Sequence, residues 1–149
     1  MTVSRAAIVA EARSWIGTPW QHQARSKGVG VDCAGLVIGV SRALGLVTAG
    51  MDVNHYARMP DGRSLLAHCD EWMRRVALTF ARPGDVLVMR FDEHPQHIAI
   101  AADYAHGGLA IVHALDSRDR KRARVVEHRL SPELRAKVVA AYVLPGVEA

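Results

Sequence analysis

Cysteine is scarce in this chain: 149 residues contain only Cys33 and Cys69. Two thiols at unrelated spacing cannot build a disulfide framework, so an ordinary core has to hold the fold. Aromatic residues make up only 5% of the chain, and none interrupts the densest basic run, RDRKRAR from Arg118 to Arg124. Without stacking surfaces, that run reads as a solvated loop rather than a single-strand binding face. No apolar stretch approaches the roughly 20 residues of a membrane span. Low-complexity tracts and repeats of fixed period are missing too, which argues against disorder and solenoid architectures. The opening MTVSRAAIVAEARSWIG carries Glu11 and Arg13 within its apolar stretch and does not read as a signal peptide. Synthesis in the cytoplasm is expected, with any export by another route.

The length suits one domain, 1–149, that buries about two-thirds of its unfolded surface. The formal charge of +4 favours a polyanionic partner (nucleic acid, membrane surface or anionic cell wall) without selecting among them. Periodicity then divides the chain. Ile8, Val9, Ala12, Trp15 and Ile16 recur at helical spacing after Ser4, a candidate N-cap, and Gly17 closes that helix. A polar loop, GTPWQHQARSKGVGVD, follows. Leu36, Val37, Val40 and Leu44 form a second helical stripe that starts at Cys33 and stops at Gly45. Residues 46–61 read as irregular, closing on the turn PDG. Leu65, Leu66, Cys69, Trp72, Met73 and Val76 predict a third helix.

Beyond RPGD the period changes to that of strands: VLVMRF, HIAIAAD, GLAIVHA, a further one around Arg124–His128, and VVAAYVL after a short turn at Ser131. Helices first and hairpin-linked strands afterwards predict an α+β domain, its N-terminal helices packed on an antiparallel β-sheet.

Cys33 stands at the junction GVGVDCAGLVIGV. With Asp32 as N-cap, the thiol occupies the first helical turn, where unpaired backbone N–H groups and the positive end of the helix dipole favour a thiolate. Those N–H groups also suit an acyl-transfer oxyanion. A catalytic thiol here should be alkylated well below the usual thiol pKa of about 8.5, whereas a structural one should not. Cys69, on the apolar face of its helix, reads as core.

A thiol nucleophile needs a base, and the base an orienting partner. His97 opens one strand and His113 lies near the end of the next, so an antiparallel hairpin across Gly107 and Gly108 makes them neighbours. His94 and His22 are rival candidates. His55, His68, His106 and His128 read as surface residues.

Taken together, GTPWQHQARSKGVGVDCAGLV, RPGDVLVM, QHIAI and IVHA, in that order, resemble the NlpC-type cell-wall peptidases, above all the branch of phage tails and prophages. The resemblance extends through VVEHRLSPELRAKVVAAYVLP and so over almost the whole chain. It implies a papain-like fold with the nucleophile at a helix N-terminus. It also implies hydrolysis of peptidoglycan stem peptides, commonly between D-glutamate and diaminopimelate, without a cofactor. By motif match Cys33 is the nucleophile, His97 the general base and acid, and His113 the residue that orients His97. Trp20, Gln21, His22, Asp32 and Ala34 surround the thiol as expected substrate and oxyanion positions. Ala34 stands where the family usually has serine, and Trp20 where many members have tyrosine; His22 or Gln21 are candidates for the lost polar role. Partners implied are stem peptides and other tail-tip proteins, with no nucleic acid and no membrane span, and the implied place of action is the cell wall.

Three alternatives stand beside this reading. One is an inactive structural or adaptor subunit of a tail. Another is a zinc site built from Cys33, His97 and His113, though no CxxC or HExxH pair supports it. The last is acyl transfer to an amine or lipid by the same thiol chemistry.

Overall fold

The computed structural model describes residues 2–46, 63–91 and 97–148. His55 and His94, with most of the segment read as irregular, lie outside the described residues.

The first helix, α1 (Arg5–Arg13), begins where expected: the Ser4 hydroxyl accepts the Ala7 N–H at 3.0 Å. Ile8, Val9 and Ala12 are buried, and Trp15 follows them into the core from the turn beyond the helix. Ile16 does not; it is 47% exposed. The helix has ended by then, and a chain heading for Gly17 at φ +93° no longer obeys the helical period.

The segment expected to be a polar loop contains a small hairpin, β1 (Arg25–Ser26) and β2 (Gly30–Val31). Two-residue strands are too short for periodicity to reveal. Then comes α2 (Cys33–Ala43), and Gly45 turns the chain away at φ +70°. The third helix, α3 (Arg63–Trp72), is shorter than its stripe suggested. Val76 belongs to a strand, β3 (Arg74–Val76), because pairing with the last strand of the chain overrides the helical spacing. A 3₁₀ turn, Leu78–Phe80, leads on.

The remaining strands are β4 (Val86–Met89), β5 (His97–Asp103), β6 (Leu109–Leu115), β7 (Arg124–Arg129) and β8 (Val138–Val143), with a single turn, α4 (Pro132–Arg135), before the last. With β3 they form a six-stranded sheet in the order β3-β8-β4-β5-β6-β7, antiparallel at every pairing. The fold is thus α+β, with α1 and α2 packed on one face of the sheet.

Period-two alternation divides the strands between two apolar layers. Ile98, Ile100, Ala102, Ala110, Val112 and Ala114 meet Leu36, Val37 and Val40 of α2 and Ile8 of α1. Leu87, Met89, Ala99, Ala101, Ile111 and Leu130 form a smaller cluster on the opposite face. Polar ties lock α1 in place. The Arg5 guanidinium pairs with buried Asp85 at 2.6 Å, and Arg13 donates to both Glu127 oxygens at 2.9 and 3.0 Å. No helix among the described residues is long and apolar enough to cross a membrane.

The Trp15 ring packs against α2 at Gly39, where an added Cβ would collide with it. That ring cannot swing aside easily: its N–H donates to Glu11 at 3.0 Å, and the Lys27 ammonium lies over it. Gly39→Ala is expected to destabilise the protein by about 1–3 kcal/mol through overpacking, despite alanine's better helix propensity. Urea denaturation checks this, and an unchanged midpoint would show that the contact relaxes freely.

Candidate active site

Asp32 is the organising residue. Its carboxylate is buried and takes three donors: the Gly35 N–H at 2.8 Å, the Arg25 guanidinium at 3.0 Å and the Gln23 N–H at 2.6 Å. The first caps α2, and the other two hold the preceding hairpin against the helix end. Gly35 is needed here, since a Cβ would strike the Ala24 carbonyl oxygen.

With the cap in place, Cys33 is the first helical residue. The Gly35 N–H goes to Asp32 and the Leu36 N–H to the Asp32 carbonyl, while the N–H groups of Cys33 and Ala34 favour the thiolate. The Ile98 N–H, from the start of β5, favours it too. The ladder between β5 and β6 begins only at Ile100, leaving Ile98 outside it. The thiol therefore docks onto the first residues of β5, beside His97.

His97 and His113 come together as the hairpin geometry requires: Nε2 of His97 lies 2.7 Å from Nδ1 of His113, the rings 76° apart. Both are buried. The contact does not end there, because Nε2 of His113 lies 3.1 Å from Nδ1 of His128. His128 is exposed, as a surface residue should be, yet its ring continues the row. Strand register places it there: β6 and β7 pair with His113 opposite Val126, so His128 is its same-face diagonal neighbour. The Phe91 ring, 5.4 Å from His97, closes the other side.

No hydrogen bond joins Cys33 to His97 among the described residues, and the ring nitrogen Nε2 of His97 is engaged by His113. The geometry likewise gives the zinc alternative no ligand set: among the described residues no group of three His, Cys, Asp or Glu side chains could hold a metal ion.

Trp20, Gln21 and His22 lie on the segment that leads into the 25–31 hairpin before α2. Trp20 is half-buried, its backbone N–H bonded to Ala123 at 2.8 Å and its ring stacked near His22 at 6.5 Å. Nδ1 of His22 lies 4.0 Å from the Asp32 carboxylate. Gln21 is exposed, its backbone N–H bonded to Val31 at 3.0 Å. The basic run arrives at the same segment, with the Arg120 guanidinium 5.8 Å above the Trp20 ring and bonded to the Trp20 carbonyl at 3.2 Å. It is solvated, as expected, and its Arg120 also pairs with Asp116 at 3.0 Å. Cys69 is buried in the core.

Electrostatics overturn one expectation. Burial pushes the Cys33 thiol up to about 11, the Asp32 carboxylate adds to the rise, and the three N–H groups only partly oppose it. Burial likewise lowers His97 to about 4, and His113 is driven down by burial and by its two imidazole neighbours. The resting pair is a neutral thiol beside a neutral imidazole. A helix terminus alone would have favoured the thiolate; here desolvation and the cap's own charge outweigh the dipole.

No protein-family model matches the sequence, and no curated protein matches it. Solved structures do. The chain superposes on the NlpC/p60 domain of the peptidoglycan hydrolase SagA with a TM-score of 0.65 and 24% identity, over 94% of this chain and 98% of that one. A Staphylococcus aureus protein described as similar to lipoprotein, of the NLP/P60 family, gives 0.62 at 17% identity. A Bacillus cereus NlpC/P60 family protein gives 0.68 at 15%. The Staphylococcus aureus and Bacillus cereus matches each cover 97% of this chain, which spans only 42% and 41% of those two proteins. The fold is therefore that of the NlpC/p60 domains, papain-like, with Cys33 at the start of α2.

Two outcomes follow from the shifted groups. Iodoacetamide labelling of Cys33, followed by peptide mass spectrometry, should accelerate about tenfold per pH unit from pH 6 to 9. A plateau below pH 7 would reveal a preformed thiolate. The buried imidazoles also couple stability to acid. In the unfolded chain they take up protons near pH 6.5, and in the folded one only far lower. Their contribution is complete above pH 6.5 and drains away as pH falls toward about 4. Between pH 7 and 5 each should cost about 2 kcal/mol in urea denaturation, and His113→Gln should flatten the slope.

Proposed function

We propose that this chain is a cysteine peptidase that hydrolyses peptide bonds in peptidoglycan stem peptides. The observation that carries the reading is the Cys33 thiol at the start of α2, under the influence of the Ile98 N–H, the residue next to His97 of the buried His97–His113 pair.

In this reading the unengaged Nδ1 of His97 accepts the Cys33 proton as the sulfur attacks the scissile carbonyl carbon. The carbonyl π electrons move to oxygen, and the N–H groups of Cys33 and Ala34 receive the oxyanion. Collapse expels the amine, which takes the proton from His97, and leaves a thioester on Cys33. Water then attacks the thioester, giving its proton to His97, and departure of the sulfur returns the thiol and a free carboxylate. Because the resting pair is neutral, proton transfer accompanies attack rather than preceding it. His113 holds His97 in orientation through its 2.7 Å contact.

The bond proposed is that between D-glutamate and diaminopimelate. Each of these residues keeps a free carboxylate, which suits the net positive charge of the chain. The motif resemblance supports a tail-associated role in a phage or prophage, with action on the cell wall.

A second reading, an inactive structural or adaptor subunit, is favoured by three features: the neutral thiol unbonded to His97, and Ala34 and Trp20 where hydroxyl side chains are usual. Digestion of purified peptidoglycan separates the two. The peptidase should release new amino groups, with muropeptide mass spectrometry identifying the bond. Cys33→Ala should abolish release, and Cys69→Ala should leave it largely intact. Intact peptidoglycan after treatment with the folded wild type would establish the adaptor reading instead.

A further inference from the structure

Three imidazoles lie in a row across β5, β6 and β7, from His97 near the thiol to His128 at the surface. The two contacts are alike: 2.7 and 3.1 Å between ring nitrogens, with interplanar angles of 76° and 71°. Each contact joins an Nε2 to an Nδ1, so the row has a direction.

A neutral imidazole carries one N–H, and each contact needs one proton between its two nitrogens. Choosing the donor at one contact therefore decides the other. If His128 accepts at Nδ1, His113 carries its proton on Nε2 and accepts at Nδ1, and His97 donates from Nε2. Nδ1 of His97 is then a lone pair. In the opposite setting every proton moves to Nδ1, and His97 has no basic nitrogen left for the thiol. His113, only 2% exposed, has no water to break the tie. His128 does meet water, and free histidine in water prefers the Nε2–H form, which leaves Nδ1 as the acceptor.

We propose that His128 is a positioning residue: its Nδ1 lone pair sets the tautomers of His113 and His97, and so keeps Nδ1 of His97 basic toward Cys33. The charged residues flanking it on β7 are engaged elsewhere. Glu127 pairs with Arg13 at 2.9 Å, and Arg129 lies over the Tyr104 ring at 6.0 Å. The catalytic meaning of the inference rests on the peptidase reading, but the tautomers are measurable without substrate.

The experiment is two-bond ¹H–¹⁵N correlation on histidine-labelled protein near pH 7.5, run beside stem-peptide hydrolysis, for wild type, His128→Ala and His128→Asn. The wild type should show His97 and His113 as single Nε2–H tautomers. In His128→Ala the Nδ1–H forms should emerge at both, and kcat should fall about tenfold with KM little changed. His128→Asn should restore both readouts, because its amide oxygen takes the acceptor's place. Unaltered tautomers in His128→Ala, or an asparagine variant no better than alanine, would overturn the proposal. If the tautomer change appears while the wild type hydrolyses nothing, the peptidase reading falls and the role of His128 stands.

Discussion

The buried carboxylate of Asp32 is the constraint on which the site depends. One side chain closes the first turn of α2, holds the hairpin before it through Arg25 and Gln23, and thereby decides where the Cys33 sulfur lies. Its burial is tolerable because that hairpin and helix end supply it with donors, among them two backbone N–H groups and the Arg25 guanidinium. The same negative charge beside the sulfur works against ionisation of the thiol. Position and reactivity are thus set in opposition by one group.

That opposition shapes the chemistry available. A preformed thiolate–imidazolium pair would need a site polar enough to hold two charges. Here the thiol, His97 and His113 are all desolvated, and each is shifted toward its neutral form. Such a site suits proton transfer coupled to attack, with charge developing only once substrate has arrived. The backbone donors gathered on the sulfur are fixed in advance and need no reorganisation at that moment.

The sheet contributes something a helix could not. Diagonal neighbours on adjacent antiparallel strands lie within reach of ring-sized side chains, so same-face histidines on three successive strands can form a continuous row. The hairpin through Gly107 and Gly108 and the β6–β7 register bring together residues 16 and 15 positions apart. The same β6–β7 connection carries the basic run to Trp20, where the Arg120 guanidinium lies over the ring.

Much of this was legible beforehand. The Ser4 and Asp32 caps, the stops at Gly17 and Gly45, and the strand period from Val86 onward are local signals, governed by backbone hydrogen bonding and alternation, and they locate Cys33 at a helix start and His97 at a strand start. What the sequence could not determine depended on partners distant along the chain. Val76 pairs in a sheet because β8 is there to meet it, and the 25–31 hairpin exists because Asp32 and α2 receive it. His128 joins the histidine row only through strand register. The thiol's ionisation is the sharpest case: the helix terminus is local and favours the thiolate, but burial and a neighbouring charge are tertiary properties, and in a desolvated site they are the stronger terms.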